Sequence, residues 1–330
     1  MSRLTMRLHR SRARGLGIAA LIVPLLPLGA AADESGASAW LPGQFASYAA
    51  VPGTPGFSLE AIFYGRTASA TAGTQLPRGG RLLVGLNTSE QYLFLTPSYT
   101  FAEPVLNAQL WLGVTFAAGR ADTSVWGVLS GPAGNSFSTA SRDSAAGFSD
   151  LYPMASLKWE FGNHNLMAYT MASVPTGAYD PNRLAGVGLG HWAIDGGMGY
   201  TFLSQGGFEF SATAGLTYNF VNPSTQYQSG VDGHLDFGAS YALSDAVYVG
   251  AVGYLYNQLS DDIGAPPQLG GFRSRVAGVG PQVGWSFTIG RLAIDLNLRA
   301  YSEFAAENRP QGWNAWLVVT PSRVKRGGGG

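Results

Sequence analysis

The chain has 330 residues, with 20 basic and 20 acidic side chains in balance and no cysteine. The missing cysteine excludes disulfides, thiol catalysis and Cys-ligated metal, and no basic cluster is present to neutralise nucleic-acid phosphates. Charged residues make up only 12% of the chain, about half the usual share, while glycine (46) and aromatics (12%) are plentiful, a balance that suits strands with one face in hydrocarbon.

The first residues carry Arg3, Arg7, Arg10, Arg12 and Arg14, then an apolar run from Leu16 to Leu28, then Ala30-Ala31-Ala32 before Asp33. This order predicts a cleaved secretory signal peptide over residues 1–32, too short and too proline-broken to span a bilayer as a helix. Its loss leaves 15 basic against 20 acidic residues, about −5 for the mature chain. Residues 33–56, with Trp40-Leu41-Pro42-Gly43-Gln44-Phe45, precede the first strand and are expected either to plug a lumen or to lie loosely beside it.

From Phe57 to Thr320 the pattern predicts an all-β, transmembrane, antiparallel up-and-down β-barrel of about twelve strands: 57–66, 89–101, 106–120, 148–161, 165–175, 191–203, 207–220, 231–243, 246–259, 272–289, 291–303 and 313–320. The seventh shows why. Phe208, Phe210, Ala212, Ala214, Leu216, Tyr218 and Phe220 alternate with Glu209, Ser211, Thr213, Gly215, Thr217 and Asn219, one set for lipid and one for a polar lumen. In the fourth, Leu157, Trp159 and Phe161 point outward and Asp150, Tyr152, Lys158 and Glu160 inward; the eighth and eleventh alternate in the same way. The ninth is ambiguous, since Val247, Val249 and Ala251 compete with Tyr248, Val252 and Tyr254 for the lipid face.

Short connections alternate with long ones, which are expected over 67–88, 121–147, 176–190, 221–230, 260–271 and 304–312. Tight turns at one end and long loops at the other are the habit of outer-membrane barrels, with the turns in the periplasm of a Gram-negative cell. Residues 321–330, ending in four glycines, read as a flexible tail.

The expected inward residues are Glu60, Arg66, Asp150, Lys158, Glu160, Asp195, Asp232, His234, Asp236, Asp295, Arg299 and Glu303. They describe a net acidic solute pathway with Lys158 and Arg299 as counter-charges, or simply the polar filling any lumen requires. Pro97, Pro153 and Pro281 remove ladder donors from a ring that has no edge, so each should mark a bulge or kink, tolerated or opening the wall sideways. Gly186-x-Gly188-x-Gly190 precedes a strand, not a helix, and reads as a flexible loop instead of a nucleotide site. His234-x-Asp236 with Ser240, the best hydrolytic arrangement available, lacks a hydroxyl at a convincing spacing, and a metal site on Asp232, His234 and Asp236 has as little support.

Phe94-Leu95-Thr96-Pro97-Ser98-Tyr99-Thr100-Phe101, Asp150-Leu151-Tyr152-Pro153, and the run from Val174-Pro175-Thr176-Gly177 through Asn182-Arg183-Leu184 carry a resemblance. Thr217-Tyr218-Asn219-Phe220, Gly280-Pro281-Gln282 and Glu307-Asn308-Arg309-Pro310 extend it over most of residues 40–320. On these motifs the chain resembles the SphA-like outer-membrane transporters of the phenol-degradation meta-pathway family. That resemblance implies a porin-like channel for small apolar or aromatic solutes, with no cofactor and no catalytic residues to transfer. It also implies outer-membrane lipid and lipopolysaccharide as surroundings and the barrel-assembly machinery as partner during insertion. Such barrels commonly end on an aromatic residue, whereas this chain continues through Arg323, Lys325 and Arg326. A lipid-modifying barrel enzyme and an adhesive barrel working through its 121–147 loop are the alternatives.

Overall fold

The computed structural model describes residues 38–76, 80–131, 135–264, 272–290 and 292–323. Twelve antiparallel strands close into one ring: β1 (Gly56–Gln75), β2 (Arg81–Thr100), β3 (Gln109–Ser130), β4 (Ser136–Phe161), β5 (His164–Ser173), β6 (Ala193–Leu203), β7 (Phe208–Asn219), β8 (Asp232–Ala242), β9 (Val247–Gln258), β10 (Arg275–Ile289), β11 (Leu292–Glu307) and β12 (Gln311–Arg323). Each strand pairs with its sequence neighbours, and β1 pairs with β12 to close the ring, so no strand is left as an edge.

The faces follow the side-chain alternation. On β7, Phe208, Phe210, Leu216 and Tyr218 are exposed while Glu209, Ser211, Thr213, Thr217 and Asn219 are buried. The ambiguous ninth strand turns Val249 and Leu255 outward and Val252, Tyr254 and Tyr256 inward. An apolar inner face is possible here because these rings join an interior cluster with Tyr64, Phe94, Tyr301 and Trp316, against which Leu41 and Ala46 pack.

Three expected loops are corrected. Residues 67–75 pair with 81–89 in unbroken register, as do 119–130 with 136–147, so the supposed long loops are paired extensions of β1–β2 and β3–β4. Residues 304–307 and 311–312 likewise belong to strands. The cause is compositional: stretches such as Ala68-Ser69-Ala70-Thr71-Ala72-Gly73-Thr74 carry small residues on both faces, so no period-2 contrast marks them. Three connections remain longer, at 174–192, 220–231 and 259–274. The last is described only to residue 264 and again from 272.

The Gly186-x-Gly188-x-Gly190 segment is pinned, contrary to its reading as flexible. The Asp150 carboxylate accepts the Gly177 and Leu189 amides, both at 2.8 Å, and Asp143 receives Arg183 together with the Leu184 and Ala185 amides. Ala185 and Val187 are thereby buried against Ala121 and Ala145. A Cβ on Gly188 would stand 3.0 Å from the Gly177 backbone, so close packing explains this glycine. Strand β12 reaches Arg323, which takes the start of the expected tail into the ring; the rest of the tail and the expected signal peptide lie outside the described residues.

Candidate functional site: the lumen and its wall

Residues 38–55 lie among inward-facing side chains, and each anchor has a physical cause. The segment is rich in glycine, alanine and proline, so it forms no ladder of its own, and its backbone polar groups need partners from the barrel. Asp236 supplies both carboxylate oxygens, accepting the Gly43 amide at 2.9 Å and the Phe45 amide at 3.0 Å. Arg299 donates to the carbonyls of Gly43 and Gln44, and its guanidinium stacks over Trp316, 5.0 Å from the ring centroid. Further along, Glu209 accepts the Tyr48 amide and Thr201 the Ala50 amide, while Lys158 donates to the Val51 carbonyl at 3.0 Å. Burial raises the Tyr48 hydroxyl above its ordinary pKa.

At the inner end of the segment, Trp40 is fully buried and stacks on His234, with centroids 3.7 Å apart and planes 12° from parallel. His234 Nε2 lies 2.9 Å from Asp195, which also accepts the Thr217 hydroxyl at 2.5 Å. Tyr169 stands 3.5 Å from the same nitrogen. Ser240 donates to Glu209 instead of approaching His234, so no nucleophile–base pair forms there. Asp232 is bonded to Asn219 and Asp236 to the N-terminal segment, and among the described residues no group of three His, Asp or Glu side chains is placed to hold a metal ion.

Of the other expected inward residues, Arg66 bridges Glu90 and Glu303, each at 3.4 Å, with Tyr254 donating to Glu303. Glu60 accepts the Thr320 hydroxyl. Glu160 and Asp295 are exposed, and Asp295 lines a wide opening at the tight-turn end.

A cavity of about 270 Å³ lies between the N-terminal segment and strands β1–β5 and β12. Its apolar lining includes Phe94, Trp111, Met154, Met167, Met171 and Trp316, with Glu60 and Lys158 as its charged members. The sequence reading missed these apolar residues because it assigned inward positions by polarity; Met154, on the same strand face as Asp150 and Lys158, was the available signal.

The wall beside this cavity is interrupted at two of the three prolines. Between β2 and β3 the pairing runs to Leu95↔Phe116 and resumes at Ser98↔Gly113, skipping Thr96 and Pro97, and the Thr96 and Thr115 hydroxyls meet across the gap at 2.8 Å. Between β4 and β5 it stops at Met154↔Met171, and beyond Tyr152 and Pro153 only the isolated Leu151↔Val174 bridge follows. At Pro281 the β10–β11 pairing skips Gly280 and Pro281. Outside the first two gaps lies a groove of about 760 Å³ lined by Pro97, Tyr99, Leu112, Phe116, Pro153 and Ile194 among others. Met154 and Met171 line both the inner cavity and this outer groove. Toward the tight-turn end, Glu60, Trp111 and Lys158 are shared with the wide opening, also about 760 Å³.

A sealed antiparallel ring, apolar outside and hydrogen-bonded within, is the architecture of outer-membrane β-barrels. A family match narrows the class. The chain belongs to the family described as MetA-pathway of phenol degradation, whose model matches residues 68–318. Among solved structures it is similar to an outer-membrane channel from Pseudomonas putida F1, at 15% identity and a TM-score of 0.60, covering 82% of this chain and 96% of that one. A FadL homologue from Pseudomonas aeruginosa aligns over 81% of this chain and 89% of its own, at 10% identity and a TM-score of 0.39. No curated protein matches the sequence.

Proposed function

We propose that the chain is a passive outer-membrane channel for small apolar or aromatic compounds, in which solute rests in the Met- and aromatic-lined cavity and leaves sideways through the wall at Pro97 and Pro153. The observation that carries this reading is that Met154 and Met171 line both the cavity and the lipid-facing groove, so that one cross-strand pair is the partition between them. Two missing stretches of ladder beside that pair lower the cost of parting the strands. Apolar cavities of roughly 150 Å³ take up benzene in other proteins, so about 270 Å³ suits one substituted ring. Methionine suits such a partition, since its unbranched side chain repacks at little cost.

Residues 38–55 act in this scheme as a plug that blocks the straight path through the lumen and leaves the side cavity open. The chain is no enzyme on this reading, and His234 serves to seat Trp40. Export by the cleaved 1–32 segment and insertion by the barrel-assembly machinery complete the proposal, with lipid and lipopolysaccharide against the outer aromatic residues. The test uses the chain's lack of cysteine. A Met154→Cys/Met171→Cys double variant places two thiols on facing strand positions, where a disulfide is geometrically allowed. Oxidation is expected to slow uptake of an apolar aromatic probe by cells at least several-fold, and reduction to restore it. Equal uptake in both redox states would refute the side exit.

A further inference from the structure

The N-terminal segment meets the wall where the ladder is interrupted. Leu41-Pro42-Gly43-Gln44 has the composition of a tight turn, proline second and glycine third, and the turn forms: the Gln44 amide donates to the Leu41 carbonyl at 3.1 Å, and Gly43 takes a φ of +86°. A side chain on Gly43 would also stand 2.9 Å from the Tyr301 ring, so the position suits glycine. Asp236 and Arg299 clamp the backbone of residues 43–45, and the Gln44 side chain reaches the wall, where its Nε2 donates to Met171 Sδ at 3.9 Å. Trp40, Phe45 and Ala50 of the segment join Met154, Met167, Tyr169 and Met171 in one apolar cluster.

Met171 needs such contacts. Past the Met154↔Met171 pair, Ala172 and Ser173 are laddered to β6 and not to β4, so the backbone fixes this stretch of β5 from one side. A methionine side chain is unbranched and repacks at little cost, so its neighbours must hold it in place. Glutamine is costly in an apolar lining unless its amide finds a partner, and leucine would fill the space without that demand. We infer that Gln44 is the positioning residue of the side exit: the seated segment braces Met171 from within and keeps the partition shut, and the unseated segment releases it. The inference rests on the side exit proposed above and adds what controls it. Blocking of the straight path and closure of the side path then depend on the same backbone anchors, Asp236 and Arg299.

The full-length mature barrel in detergent micelles, labelled with carbon-13 at the methionine methyls, reports this by NMR. Of the six methionines, Met1 and Met6 lie in the expected signal peptide, which leaves Met154, Met167, Met171 and Met198. Met198 is 65% exposed on the lipid face and serves as the internal reference. Asp236→Ala acts from β8, whereas Met171 is on β5, and it is expected to shift and broaden the Met154 and Met171 signals while Met198 stays in place. Gln44→Leu keeps the backbone anchors and removes the amide donor. It is expected to broaden Met171 likewise and to raise uptake of an apolar aromatic probe by cells about two- to threefold, the scale of one weak hydrogen bond. Met154 and Met171 signals in Asp236→Ala that coincide with those of wild type overturn the brace, and the side exit still stands if oxidation of Met154→Cys/Met171→Cys slows uptake. Altered signals without a gain in uptake by Gln44→Leu overturn the control of the exit, whose existence the cysteine pair decides separately. A Met198 signal displaced with the others in both variants marks general distortion and overturns the brace as well.

Discussion

Replacing Asp236 with alanine removes the carboxylate that receives the Gly43 amide at 2.9 Å and the Phe45 amide at 3.0 Å, two of the bonds that hold the inner end of the N-terminal segment beside those from Arg299. A hydrogen bond to a charged acceptor contributes about 1.5–3 kcal/mol. Both bonds share one side chain, and lumen water can solvate the freed amides, so the pair is taken at the low end, about 3 kcal/mol together. At about 1.4 kcal/mol per decade, the population with this end unseated rises by roughly two orders of magnitude. Other anchors persist, since Glu209 still holds Tyr48 and Thr201 still holds Ala50. The expected change is therefore frequent partial opening, not loss of the whole segment. Single-channel recording in planar bilayers reads it directly: brief high-conductance events should become about a hundredfold more frequent in Asp236→Ala, with Asp236→Asn between the variant and wild type. If Asp236→Ala folds, as judged by heat-modifiable mobility on gels, and its event frequency matches wild type, the proposal that residues 38–55 occlude the lumen is refuted.

Substitutions at two further positions probe the barrel itself. Arg66→Leu strands Glu90 and Glu303 without their shared cation at sites 12% and 3% exposed, and should destabilise the fold by about 3–5 kcal/mol, read as a lower urea midpoint for unfolding from lipid vesicles. Ala214 stands on the lipid face near the middle of β7. Ala214→Arg should cost about 2–4 kcal/mol in the same unfolding measurement, whereas Ala214→Leu should change little, and equal values for the two would contradict the assigned face.

The twelve strands and most of their faces were legible because lipid imposes a strict demand: Phe208, Phe210, Leu216 and Tyr218 could not share a face with Glu209. Where that demand is absent the signal fades. Above the hydrocarbon both sides of β1–β4 meet water, so residues 67–75 and 136–147 carry no contrast and read as loops although their backbones pair. Inside, the interior apolar cluster lets Val252, Tyr254 and Tyr256 face inward, which is why alternation alone could not orient β9. The charged lumen residues were found by polarity. The cavity was hidden, because Trp111, Met154, Met167 and Met171 become a site only when the N-terminal segment and two interrupted ladders close around them.

The unequal strands carry a consequence for the cell surface. A tilted strand crosses a bilayer in about 9–11 residues, and β5–β9, with 10–12 residues each, have almost none to spare, while β1–β4 run to 20–26. At ~3.3 Å per residue the surplus is about 30–50 Å of hydrogen-bonded ribbon. On the proposed orientation, with the tight turns in the periplasm, that ribbon rises as paired backbone over one sector, whereas over β5–β8 the same rim is built from the connections 174–192 and 220–231. A protease acting from outside is then expected to cut in those connections before it cuts the tall sector, whose backbone is already paired.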